Sequence, residues 1–124
     1  MTAGGAIDPE AIDAMLENTG GDPEFVAEII GDYLADTVIR LEELRSAVAN
    51  GDATAARRAA HTVKGSSASF GASLLSSLAA QAEHLSQRSD LASIAELLPA
   101  LSTELERVRI ALHAEHTRLL GTGS

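Results

Sequence analysis

Three residues near the middle of the chain have types and a spacing that suit chemistry: His61, Lys64 and Gly65. A neutral imidazole is a competent nucleophile at physiological pH. On a helix, an ammonium three residues further on is a surface neighbour of the ring. It can offset charge on a phosphoryl group that the ring holds. Phosphoryl transfer asks for in-line access and charge stabilisation more than for covalent help. A glycine one turn after the histidine strips bulk from the surface beside the imidazole, although glycine in mid-helix costs roughly 1 kcal/mol relative to alanine. A partner's reactive group can then come close to the ring.

Placed on a helix at about 100° per residue, Ala56, Ala59, Val63, Ser66 and Phe70 cluster around one direction. His61 points roughly the opposite way, with Arg57, Lys64, Gly65 and Ala68 on its side and Arg58 nearby. Such a helix buries small residues and Phe70 and shows solvent an imidazole among cations. The sequence has no Walker-type loop, no glycine-rich nucleotide loop and no evident magnesium cluster. The expectation is a phosphoryl acceptor and donor without kinase activity or a cofactor of its own, whose partners supply metal and catalysis.

The elements that must position this face are marked by caps. Asp8-Pro9-Glu10 and Asp22-Pro23-Glu24 each place an N-cap aspartate before a proline at the first helical position. The first opens a short helix to about Asn18 with Ile12, Met15 and Leu16 as its apolar stripe, ended by Gly20-Gly21. The second opens a long helix to about Ala49, with Val26, Ile29, Ile30, Tyr33, Ile39, Leu41, Leu44 and Val48 at near-helical period. Asn50-Gly51 stops it and Asp52 caps a third helix over about 53–69. Phe70-Gly71 reads as a tight corner. A fourth helix turns Leu74, Leu75, Leu78, Ala82 and Leu85 inward. After a break at Arg88 to Asp90, a last helix carries Leu91, Ile94, Leu98, Leu101, Leu105, Val108 and Leu112. Pro99 is expected to kink or divide it. No stretch alternates with period two. The reading is all-α: an antiparallel up-down four-helix bundle, with the short first helix covering one end. Residues 8–120 form one domain, between flexible ends at 1–7 and 121–124.

Composition narrows the function classes. The 124 residues suffice for one core. There is no cysteine, which excludes disulfides, a thiolate nucleophile and a cysteine zinc site. The net charge of −9 and a near absence of aromatic residues argue against nucleic-acid binding. No apolar run spans a bilayer and no signal peptide is evident, so a cytoplasmic chain is expected. Met1 and the small-residue ends suggest a free-standing carrier.

In their order and spacing, His61, Lys64, Gly65, Ser66, Ser67, Phe70, Gly71 and Ala72 resemble the signature of histidine phosphotransfer (HPt) domains. The resemblance runs from about residue 8 to residue 112. It implies a four-helix bundle that accepts a phosphoryl group from a receiver-domain aspartyl phosphate on Nε2 of His61 and passes it to another receiver. It implies that Lys64 helps neutralise the phosphoryl group, that Gly65 makes room for the receiver, and that Glu83 hydrogen-bonds the other ring nitrogen. Folding the chain back at Phe70-Gly71 brings His61 opposite the region of Ala80 to His84. Gln81 is therefore also a candidate, and it is the resemblance that favours Glu83. Magnesium is expected in the partner receiver. Partner contact is expected at Gly65, Arg57, Arg58, Ala68, Ile12 and Met15, the last two on family resemblance, with the chain a monomer. Pro99 and the stretch from Leu112 to Leu120 depart from the family pattern.

Other readings follow from the same residues. A bundle of this shape can act as an adaptor or inhibitor that binds a receiver or kinase without taking phosphate. His113 and His116 share a helix face with Glu115 between them and could hold a metal, but no third ligand is near in sequence. They are read as surface residues, and no metal site is expected. Ser66 and Ser67 are read as small packing residues, because neither has a triad around it.

Overall fold

Aspartates start four of the five helices. In the computed structural model, which describes residues 5–121, α1 spans Pro9–Asn18, α2 Pro23–Asn50, α3 Ala53–Ser69, α4 Ser73–Gln87 and α5 Leu91–Leu120. Asp8, Asp22, Asp52 and Asp90 each accept a first-turn backbone N–H, from Glu10, Phe25, Ala55 and Ser93, at 3.0–3.1 Å. These bonds satisfy donors for which the helix has no internal partner. The Ser93 hydroxyl also donates to Asp90 at 2.8 Å, and these bonds hold the Asp90 carboxyl below its ordinary pKa. Gly51 closes α2 in the left-handed region at φ 71°.

The four long helices form a ring in which α2 and α4 each pack on α3 and α5, while α1 lies against α2. The core draws on every helix, with Ile12, Ile30, Leu44, Val63, Leu75, Ile94, Leu101 and Leu112 all fully buried. α3 and α4 contribute mainly small residues to it: Ala56, Ala59 and Ala60 from one, Ala79 and Ala82 from the other. Small side chains let two backbones approach closely, and it is between these two helices that the functional side chains meet. Deeper in the bundle the Tyr33 hydroxyl and Ser67 Oγ share a 2.7 Å hydrogen bond. The Tyr33 ring stacks on Phe70 at 4.3 Å between centroids.

The corner between α3 and α4 requires glycine. Gly71 has φ +68°, and a Cβ there would lie 2.8 Å from the Asp8 Cβ and 2.9 Å from its backbone nitrogen. The Asp8 N–H donates to the Gly71 carbonyl at 3.0 Å. The segment that opens α1 is thereby fastened over this end of the bundle. Ala6, just before it, is buried. Residues 1–4 and 122–124, parts of the ends expected to be flexible, lie outside the described residues.

Several side chains differ from expectation. Of the two outcomes expected at Pro99, a kink or a division, the division does not occur: α5 runs as one helix to Leu120. Pro99 and Ala95 are both exposed, so the backbone bond that proline removes is one that solvent can replace. Ile39 and Leu74 are half exposed. Thr37 occupies the inward position of α2, and Ile39 lies about 200° around the helix from it. Leu74 lies one residue, about 100°, from the fully buried Leu75. On α3 it is Ser67 that is buried, while Ser66 is half-buried and its hydroxyl donates to the Thr62 carbonyl at 2.9 Å. Among the described residues no helix is long and apolar enough to cross a membrane.

Candidate functional site

His61 lies midway along α3 on the outward face, its side chain 65% exposed. It does not stand alone. Glu83, two-thirds of the way along α4, is largely buried, and its two carboxylate oxygens are both engaged by α3. Oε2 lies 2.7 Å from His61 Nδ1, and Oε1 accepts from Lys64 Nζ at 2.6 Å. The Lys64 ammonium, opposed by burial and assisted by His61, holds the Glu83 carboxyl below its ordinary pKa. Glu83 is therefore a carboxylate at neutral pH and can only accept. It follows that Nδ1 carries the ring proton. In the neutral ring Nε2 then bears the lone pair, and among the described residues the ring's hydrogen bond is the one at Nδ1.

The surroundings of the ring are asymmetric along α3. Arg57 and Arg58 precede it, both exposed, and Gly65, Ala68 and Ser69 follow it, all small and exposed. A Cβ built on Gly65 meets nothing within 4 Å, so this glycine is not needed for helix packing. Its effect is on the outer surface, which stays low on the C-terminal side of the imidazole. A groove between α2 and α3 has Arg40, Asn50, Asp52 and Arg58 on its walls and does not include His61. The imidazole is exposed on the outer face of α3, within reach of a group brought up from solvent.

The structure thus brings His61, Lys64 and Glu83 together and keeps Arg57, Arg58, Gly65 and Ala68 on the same exposed helix. Gln81, the other candidate for the ring, is exposed on α4, and it is Glu83 that meets His61 Nδ1. Ile12 does not belong to a partner surface. It is fully buried in the core, because α1 turns that side chain into the bundle, whereas Met15, like Leu16, is half-buried. Phe70 and Gly71 serve the corner, and Ser67 serves the core. Two features escaped the sequence: the pairing of Lys64 with Glu83, and a bond from the Ser76 hydroxyl to the Lys64 carbonyl at 2.8 Å. The one signal for Ser76 is its position seven residues before Glu83, on the same helix face. His113 and His116 stack at 6.5 Å with nearly parallel rings. Among the described residues no group of three or more metal-ligating side chains is assembled.

A helical bundle that presents one imidazole, oriented by a buried acid and flanked by a cation, has the form of a phosphohistidine carrier. The Hpt domain family model matches residues 28–111, and the chain belongs to that family, the histidine phosphotransfer domains of phosphorelays. Its fold is similar to the crystal structure of histidine-containing phosphotransfer protein B (HptB) from Pseudomonas aeruginosa PAO1. The TM-score is 0.84 at 27% identity, over 91% of this chain and 96% of that one. No curated protein matches significantly.

Proposed function

We propose that His61 is the phosphoacceptor of a phosphorelay. It takes the phosphoryl group from the aspartyl phosphate of one receiver domain and returns it to the aspartate of another. The observation that carries this reading is the 2.7 Å contact between Nδ1 and Glu83, which leaves Nε2 as the free lone pair on an exposed ring. In the forward step Nε2 attacks phosphorus in line. The bond from phosphorus to the aspartyl oxygen breaks, and the aspartate leaves as a carboxylate. The ring gains positive charge as the N–P bond forms, and Glu83 stabilises it through Nδ1–H.

Lys64 has a double role in this reading. Before transfer its ammonium is held by Glu83 on the same face as the ring. As the phosphoryl group arrives, that ammonium is one side-chain rotation from its oxygens. Gly65 and Ala68 let the receiver approach, and Arg57 and Arg58 steer an acidic receiver pocket toward the ring. The receiver supplies the magnesium ion, and this chain works as a monomer with no metal or nucleotide of its own.

The test is incubation with a phosphorylated receiver and magnesium, followed by measurement of acid-labile, base-stable label. Wild type is expected to take up label and His61→Gln none. Label on His61→Gln would refute the assignment. Binding without label on either protein, across several receivers, would support an adaptor instead.

A further inference from the structure

Among the described residues three hydrogen bonds tie α3 to α4, and all of them end on two α4 side chains, Ser76 and Glu83. These lie about two turns apart, so both face α3. Glu83 receives His61 and the Lys64 ammonium. The Ser76 hydroxyl donates to the main-chain carbonyl of the same Lys64 at 2.8 Å. A helix carbonyl has a second lone pair beyond the one its own helix uses, so α3 loses nothing by accepting it. The bond holds the Lys64 backbone against α4 wherever the lysine side chain points.

The packing around this bond explains why it matters. Most of the side chains that α3 and α4 bury are small, Ala56, Ala59, Ala60 and Ser67 on one and Ala79, Ala82 and Ser86 on the other, with Val63 and Leu75 the larger apolar ones. Alanines interlock weakly, and a smooth contact of this kind resists sliding and rotation poorly. The Gly71 corner sets the start of α4, but Glu83 lies some three turns beyond it. Ser76 is the polar contact between the corner and the acid. Hydrogen bonds of 2.6 and 2.7 Å made by one carboxylate to two partners tolerate little displacement.

We propose that Ser76 is a positioning residue for phosphotransfer: its bond to the Lys64 carbonyl sets the register and rotation of α4, so that the Glu83 carboxylate meets His61 Nδ1 and the Lys64 ammonium together. Ser76 does not touch the imidazole. It acts through Glu83 on which ring nitrogen carries the proton. The kinetic half of its test rests on the phosphoacceptor reading above, and the spectroscopic half does not.

The experiment compares wild type, Ser76→Ala, Ser76→Thr and Ser77→Ala, the last an exposed neighbour on α4. The ring nitrogen-15 shifts of His61 are recorded at a pH where the ring is neutral, and phosphoryl transfer from a phosphorylated receiver is timed. Wild type is expected to show the Nδ1–H tautomer. Ser76→Ala is expected to show a mixture of tautomers and a maximal transfer rate lower by on the order of tenfold, with KM for the receiver little changed. Ser76→Thr, which keeps the hydroxyl, should restore both, and Ser77→Ala should change neither. A wild-type tautomer signal in Ser76→Ala overturns the proposal, even if its Tm falls, because that result assigns the bond to stability alone. If wild type takes no phosphate, the phosphoacceptor reading fails while the tautomer comparison still decides the role of Ser76.

Discussion

Two glutamates are buried in this bundle, and they are treated differently. Glu83 on α4 is 9% exposed and Glu104 on α5 is 4% exposed. Both Glu83 oxygens are taken by groups on the neighbouring helix. Glu104 gives one oxygen to Arg107 of its own helix at 2.7 Å and leaves Oε2 without a partner, one turn from the core residues Leu101 and Val108. Elsewhere the ion pairs are almost all local. Arg40, Arg45, Arg109 and Arg118 pair with acids three or four residues away, and the Arg118–Asp13 pair at 3.4 Å is the other bridge between helices among the described residues. A charge satisfied along its own helix helps that helix and little else. A buried charge satisfied across a seam fixes the relation of two helices, and here that relation orients the imidazole.

The largest expected effect separates the arginine and lysine partners of these acids. Lys64→Ala should slow phosphoryl transfer about 10- to 100-fold, the size of a charge-assisted bond worth roughly 1.5–3 kcal/mol. Arg107→Ala, which strips the partner of the other glutamate, should leave transfer unchanged. Equal transfer rates in the two variants would erase the functional half of the comparison.

Next in size is a gain in stability. Glu104→Met replaces an acid that has one unpaired oxygen with an apolar side chain of similar length, and Arg107 is 40% exposed and free to be solvated. Folding is expected to strengthen by about 1–2 kcal/mol, read as a rise of a few degrees in Tm. A fall in Tm would mean that Glu104 holds its place through an interaction worth more than its burial.

The smallest effect is in acid. The folded pKa of Glu83 is depressed, so its contribution to stability is fully present above the unfolded carboxylate value, about 4.3. It is lost as pH falls through the lower folded value. Glu83→Gln should flatten part of that acid limb in a pH series of Tm. Part remains, because Asp90 and Glu106, bonded to Ser93 and Arg109, are depressed as well. An unchanged limb would show that Lys64 and His61 do not stabilise the ionised acid.

What the sequence alone determined about this protein is local. Helix starts at Asp8, Asp22 and Asp52 are legible because capping depends on one side chain and the next three residues. The exposure of His61 and Gly65 opposite Val63 is legible because helical period is a property of the chain itself. The family motif needed nothing more. The tertiary structure decided whatever depends on how two helices meet. It chose Ser67 over Ser66 for the interior, because Tyr33 offers its hydroxyl there, and Glu83 over Gln81 for the ring. It buried Ile12, which the first helix had seemed free to offer a partner, and carried α5 through Pro99 where the missing bond faces solvent. It gave Lys64 a carboxylate partner and Ser76 its bond. The axial offset and rotation between α3 and α4 depend on the Gly71 corner wedged against Asp8 and on bonds across the seam such as that from Ser76 to Lys64, and periodicity along a single helix carries no record of either.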